Sequence, residues 1–217
     1  LDAWKPDLHP RDSHGRFRDK WKLSDAARGT VEKILRAFRP AMFRSDGHAQ
    51  SYLDTVSKDM ARKRKRSPRQ EASLEYFQTP QGNEDIQSTL RAGSDDSPQI
   101  HDLDSMMAPL PNDVLLTRVV GPDAFGLPPE RMAEIEEWTG KLVMDQGYAP
   151  SNLGTPFQVA SPHVTMSIVA PRGTKAIVPG GSREVILDRE QPLRIMKVDS
   201  DGRGGMYVYA MATPKQG

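Results

Sequence analysis

Apolar residues recur at a helical period in the first half of this chain and at a strand-like period in the second. After Ser24, an N-cap residue type, Val31, Ile34, Leu35 and Phe38 fall at i, i+3, i+4 and i+7. They predict an amphipathic helix ended by Pro40. Leu53, Val56 and Met60 predict a second, short helix. Three more follow, on Leu74 and Phe77, on Ile86 and Leu90, and on Ile100, Leu103 and Met107. At Asp113 the period changes, and residues 113–121, rich in valine and closed by Gly121-Pro122, read as a strand. Pro128-Pro129-Glu130 opens a helix with Met132, Ile135 and Trp138 on one side. Short strands separated by Gly and Pro are then predicted at 163–170, 176–178, 184–187, 193–198 and 206–212. Helices first and strands later, without regular alternation, predict an α+β fold on a mixed or antiparallel sheet.

Composition narrows this to one core. The 217 residues are 36% apolar and 27% charged, with 17 Gly and 18 Pro, which suits one loop-rich domain carrying an appended arm. No apolar run approaches the ~18 residues of a membrane span, so no membrane partner is expected. Lacking cysteine, the chain can form neither a disulfide framework nor a thiolate metal site, and no metal is expected. It begins with Leu and shows no signal-peptide pattern, and reads as the tail end of a longer polypeptide or a processed product.

The net charge of +1 conceals two unlike halves. Residues 1–70 hold 18 Lys and Arg against 9 acids, and residues 71–217 hold 12 against 20. The first is expected to be a basic, partly helical arm and the second the folded domain. Arg62, Lys63, Arg64, Lys65, Arg66 and Arg69 form a block able to neutralise DNA phosphates without sequence preference, or to serve as a solvated linker. The interleaved aromatics of a single-strand binder are missing. The short helices before the block also suit docking onto a larger assembly. No glycine-rich phosphate loop, His-x-x-x-His pair or nucleophile elbow is present, which removes the best-known nucleotide-triphosphate and hydrolase signatures.

Four stretches carry a resemblance. The first comprises Leu74-Glu75-Tyr76-Phe77, Ile86 to Gly93 with its Leu90-Arg91 pair, and Ile100 to Asp104. The second is Leu115-Leu116-Thr117-Arg118-Val119-Val120-Gly121, and the third Asp145-Gln146-Gly147-Tyr148-Ala149-Pro150-Ser151-Asn152. The fourth runs from Val164 through Pro171-Arg172-Gly173-Thr174 and a glycine turn to Glu184-Val185-Ile186-Leu187 and Leu193-Arg194-Ile195. In this order, across about 140 residues, they resemble the toxin-like mono-ADP-ribosyltransferases of the arginine-serine-glutamate class.

The resemblance implies an ADP-ribosyltransferase-like fold over residues 71–217, with a helical lead-in packed on a split sheet core. It also implies NAD as substrate and a protein acceptor. Cleavage of the nicotinamide–ribose bond passes through a sugar cation, for which a carboxylate is the natural stabiliser. Glu184 is expected in that role, and Arg118, whose planar fork suits a diphosphate, at the other end of the dinucleotide. Read from the residues alone, Glu184 also fits a solvated strand end and Arg118 the wet face of an edge strand. Ser151 is the expected positioning serine, with Gly147 and Tyr148 leading into the pocket. Asn152 and Gly154 would open the loop to His163 beside the nicotinamide, where Phe157 is a candidate stacking residue or a core plug. Gly180, Gly181 and Ser182 form the acceptor turn.

Two departures stand out. Pro150 and Asn152 occupy the family's serine positions, and Ser182 occupies the place, two before the glutamate, where arginine-modifying members carry Glu. Arginine modification is therefore not expected. Transfer to another acceptor, NAD hydrolysis, or a fold kept without activity remain open. Residues 9–17 are similar to short motifs of minor head proteins of tailed bacteriophages, some of which carry such a domain. This implies a virion protein delivered to the host cytoplasm, with residues 1–70 meeting other head proteins.

Overall fold

A computed structural model describes residues 46–63, 65–153, 164–200 and 205–213. The motif at 9–17, the helix expected after Ser24, Arg64, Gly154 and Phe157 lie outside them.

Among the described residues four helices come first: α1 (Asp46–Lys63), α2 (Pro68–Phe77), α3 (Pro80–Arg91) and α4 (Pro98–Met106). The last three each begin at a hydroxyl residue followed by proline: Ser67-Pro68, Thr79-Pro80 and Ser97-Pro98. Proline costs nothing at the first helical position, where its missing N–H has no intrahelical partner. At Ser67 the cap is reciprocal. Its Oγ accepts from Gln70 N at 3.2 Å and its N donates to Gln70 Oε1 at 2.8 Å. The position between residues 70 and 71 thus falls inside α2.

The segment expected as an α-helix after Pro128 is instead a 3₁₀ helix, Pro129–Trp138, preceded by a 3₁₀ turn at Pro122–Phe125. Its spacing explains the difference. Met132, Ile135 and Trp138 are three apart, which lines them up at three residues per turn and lets them drift apart at 3.6. Met132 and Ile135 are buried in the core and Trp138 packs against it.

Nine strands form one mixed sheet: β1 (Ala108–Pro109), β2 (Val114–Val120), β3 (Leu142–Val143), β4 (Ala149–Leu153), β5 (Val164–Ala170), β6 (Lys175–Ile177), β7 (Glu184–Leu187), β8 (Leu193–Ser200) and β9 (Met206–Ala212). Their order is β1-β6-β7-β4-β2-β5-β9-β8-β3, and only β5–β9 is a parallel pair. The α+β expectation holds.

Two hydrophobic clusters share the sheet. One joins Ala49, Leu53 and Val56 of α1 to Leu116, Leu153, Val185 and Leu187. The other joins Leu74, Phe77, Ile86, Leu90, Ile100 and Leu103 of α2 to α4 to Tyr148, Ile177 and Ile186. β7 is apolar without alternation because both its faces are covered: Val185 and Leu187 enter the first cluster, Ile186 the second. Glu184, two residues before Ile186, lies on the face turned to α2–α4.

β4 is not among the strands expected from sequence, and it contains Pro150, a residue that breaks sheet ladders. The strand tolerates the proline through its register. Leu153 N donates to Arg183 O at 2.9 Å, so by antiparallel alternation the backbone nitrogens of residues 150 and 152 point away from β7, toward β2. Pro150 has no N–H to give, and the β2–β4 ladder consists of Leu116–Leu153 and Thr117–Asn152 alone. Past that point the two strands part.

Candidate active site

Arg118 stands where β2 and β4 separate. It is 3% exposed, in a strand whose neighbours are apolar, so its charge needs a partner. Nη2 donates to Asp145 Oδ2 at 2.7 Å and reaches the Tyr148 carbonyl at 3.4 Å. Arg91, from the last turn of α3, donates to the same carboxylate through Nε at 3.1 Å and Nη2 at 3.0 Å. Asp145 also accepts Gly147 N at 3.0 Å.

Burial pushes the Asp145 pKa up, but hydrogen bonds and charge from Arg91 and Arg118 outweigh it and hold the carboxyl below its ordinary range. Burial also lowers the pKa of Arg118. A second carboxylate, the exposed Asp123, lies 3.8 Å from Arg91, and Nε and Nη1 of Arg118 are buried donors without a partner among the described residues.

Arg91 and Arg118 line a cleft of about 720 Å³ with Asn83, Gln87, Gly121 and Pro150. Gly147 lets this corner close. A Cβ there would lie 2.0 Å from Gln87 Oε1, while Gln87 Nε2 donates to the Tyr148 carbonyl at 2.7 Å.

Glu184 lies beyond the cleft, on the sheet face that carries Pro150 and Asn152 and opposite the one from which the Arg118 side chain starts. It pairs with Asn152 in the ladder, and Pro150 is two positions before Asn152, about 7 Å along β4. Its Oε2 accepts from Gln78 Nε2 at 2.9 Å. Burial raises its pKa above the usual carboxylate value, with the Gln78 hydrogen bond acting the other way.

The expected site residues are therefore only partly brought together. Ser151 is 1% exposed, alternates with Asn152 and so faces away from Glu184, and donates to the Ala149 carbonyl at 3.1 Å. Asn152 takes the place opposite the carboxylate. Tyr148 is 0% exposed and makes an edge contact with Phe77 at 5.5 Å. Its hydroxyl donates to Asp104 Oδ1 at 2.7 Å, so it anchors the helical core and has no surface left for a ligand.

The glycine turn has its own support. Gly180 and Gly181 have φ of 87° and 70°, where glycine is unstrained. A Cβ on Gly180 would lie 2.8 Å from Ser57 Oγ. Ser57 Oγ donates to Pro179 O at 3.2 Å, and Gly181 N donates to Asp54 Oδ1 at 3.1 Å. Arg66 Nη2 donates to Val178 O at 2.9 Å. Ser182 Oγ accepts from Glu184 N at 3.3 Å.

Two residues of the basic block are thus engaged within the chain, Arg66 on this turn and Arg69 with Asp102 at 2.8 Å. Arg62 is exposed and lies 3.8 Å from Asp59.

Arg91, Asp145 and Gln78 had no role assigned from sequence. Asp145 had a local signal, an Asp two before a Gly, whose short side chain commonly bonds the backbone two residues on. Arg91 looks like an ordinary basic residue of a last helical turn, and Gln78 carries no signal.

A mixed sheet of this order, with α1 against one face and α2 to α4 against the other, is the ADP-ribosyltransferase fold. The Clostridium limosum C3 exoenzyme superposes with a TM-score of 0.65 at 19% identity, over 81% of this chain and 98% of that one. Plx2a, an ADP-ribosyltransferase toxin from Paenibacillus larvae, gives 0.65 at 18% identity over 78% and 96%. C3stau2 from S. aureus, solved with NAD, gives 0.63 at 19% over 81% and 99%. No family model and no curated protein sequence matches this chain.

Proposed function

We propose that this chain binds NAD in the cleft beside Arg91 and Arg118 and cleaves its nicotinamide–ribose bond, passing ADP-ribose to a protein acceptor or to water. The observation that carries this is Arg118. Two donors of a buried guanidinium have no partner among the described residues, and an anionic diphosphate supplies the acceptors they lack. The fold shared with an NAD-bound ADP-ribosyltransferase supports the same reading.

In the reaction the bond from ribose C1′ to the pyridinium nitrogen breaks and its electron pair leaves with neutral nicotinamide. The sugar cation left behind is stabilised by the ionised Glu184 carboxylate. The acceptor's lone pair then forms the new bond to C1′, and its proton passes to the carboxylate or to solvent. Arg91 and Arg118 hold the other end of the dinucleotide and Asn152 lies opposite the carboxylate. Ser182 carries no charge with which to prepare an arginine acceptor.

We further propose that the protein belongs to a phage particle and acts after entry, which the resemblance of residues 9–17 supports. The competing reading, a retained fold without activity, is favoured by Pro150 and Ser182. Labelled NAD incubated with purified protein and host lysate separates the two. Release of nicotinamide or labelling of a protein, lost in Glu184→Gln, is the expected result. Failure to bind NAD would overturn it.

A further inference from the structure

Resting on the NAD-cleaving reading, we infer that Gln78 is a positioning residue for the Glu184 carboxylate, a duty that no hydroxyl of β4 fulfils. Ser151 faces away and spends its proton on the Ala149 carbonyl, and Pro150 has no donor. The donor instead comes from outside the sheet, through Gln78 Nε2 to Glu184 Oε2 at 2.9 Å.

The geometry suits positioning because the corner that carries Gln78 is fixed from several sides. Gln78 is the C-cap of α2, its N–H donating to Leu74 O at 3.0 Å. Thr79 begins α3, and its Oγ1 donates to Tyr76 O at 2.8 Å and accepts Gly82 N at 3.0 Å. α3 then crosses so closely that a Cβ on Gly82 would lie 2.0 Å from Tyr76 O. The two caps thus fix the backbone from which the exposed Gln78 side chain directs its amide at the carboxylate.

The hydrogen bond also acts on the ionised form. Burial and the Gln78 amide are the two influences on Glu184, of opposite sign. The charged residues of the surrounding elements include Glu71 and Glu75 of α2, Asp54 of α1, bonded to Gly181, and Arg183 beside Glu184 in the chain.

The test uses the full chain with ¹³C-labelled glutamate. Gln78→Leu keeps the volume and removes the donor. Nicotinamide release should fall about tenfold in kcat while KM for NAD stays within about twofold. Independently of activity, the carboxyl resonance of Glu184, assigned through Glu184→Gln, should titrate at higher pH in Gln78→Leu. In Gln78→Lys, which restores a donor, it should return to or below its wild-type position. An active wild type with kcat and titration unchanged in Gln78→Leu overturns the role of Gln78 alone. Wild-type nicotinamide release no greater than that of Glu184→Gln overturns NAD cleavage, and this inference with it.

Discussion

Asn152 of β4 and Glu184 of β7 face each other across a pair of the ladder that is not hydrogen-bonded. In such pairs the Cα atoms approach to about 4.5 Å and side chains are closest. Asn152 is half-buried and Glu184 half-buried, so the amide can bond a ribose hydroxyl or the carboxylate without full desolvation. Asn152→Ala should lower nicotinamide release by about tenfold. Ser151→Ala, which removes a hydroxyl bonded within its own strand, should leave kcat within about twofold and cost about 1 kcal/mol of stability. Steady-state assays and thermal melts of both variants check the assignment. The reverse ranking would return the role to Ser151.

Asp145 is the anion that allows two arginines to share one corner. Asp145→Asn leaves Arg118 buried without a counter-ion, and breaking a buried pair in this way costs about 3–5 kcal/mol. Since the folded pKa of Asp145 is depressed, its contribution is present above the unfolded value near 3.8 and is lost as pH falls through the still lower folded pKa. Chemical denaturation at pH 7 should show the full deficit of the variant. The gap should narrow as pH falls below about 3.8 and close only once the folded-state carboxyl is itself protonated. If the corner binds a diphosphate, added pyrophosphate should act as counter-ion to the arginines left unpaired and recover part of the deficit of Asp145→Asn.

Much of this was legible in the sequence, for physical reasons that also explain the rest. Glu184 and Arg118 stand in strands whose apolar pattern is strong, so their places were readable. β4 was not, because Pro150 is a strand breaker unless its nitrogen faces a ladder that has ended, and register is not visible locally. Ser151 was misplaced for the same reason. With no strand expected over residues 149–153, there was no alternation to say that residues 151 and 152 point opposite ways. Asp145 and Gln78 owe their roles to partners 54 and 106 residues away in the chain, Arg91 and Glu184, and such pairings are fixed only by the fold.

The clamp on the glycine turn predicts a mobility change. Arg66 and Asp54 bond Val178 O and Gly181 N, and both come from outside the sheet. Asp54→Ala should raise amide exchange at Gly181 specifically. Arg66→Ala should loosen residues 178–183 as a group and lower kcat more than it raises KM, since Glu184 follows directly on this turn. Hydrogen exchange read by mass spectrometry over these residues checks both. Unchanged protection would mean that the turn is held by its own strand pairing alone.

Glu184→Gln should trade activity for stability. Burial raises the folded pKa of this carboxyl above the unfolded value near 4.5, so the native state binds its proton more tightly. Stability then falls as pH rises from about 4.5 through the folded pKa, because in that window the unfolded chain releases the proton first. At neutral pH the wild type carries the whole cost of an ionised, half-buried carboxylate, and glutamine does not. The variant should melt at a higher temperature than wild type at pH 7, and the difference should vanish below about pH 4. Nicotinamide release should fall by at least about 100-fold. In the wild type the rate should decline as pH drops through the raised pKa, since the neutral acid cannot stabilise a sugar cation. Paired melts and rates across pH 3.5 to 8 test both signs at once: a variant no more stable at pH 7 would mean that the folded protein does not disfavour the charge.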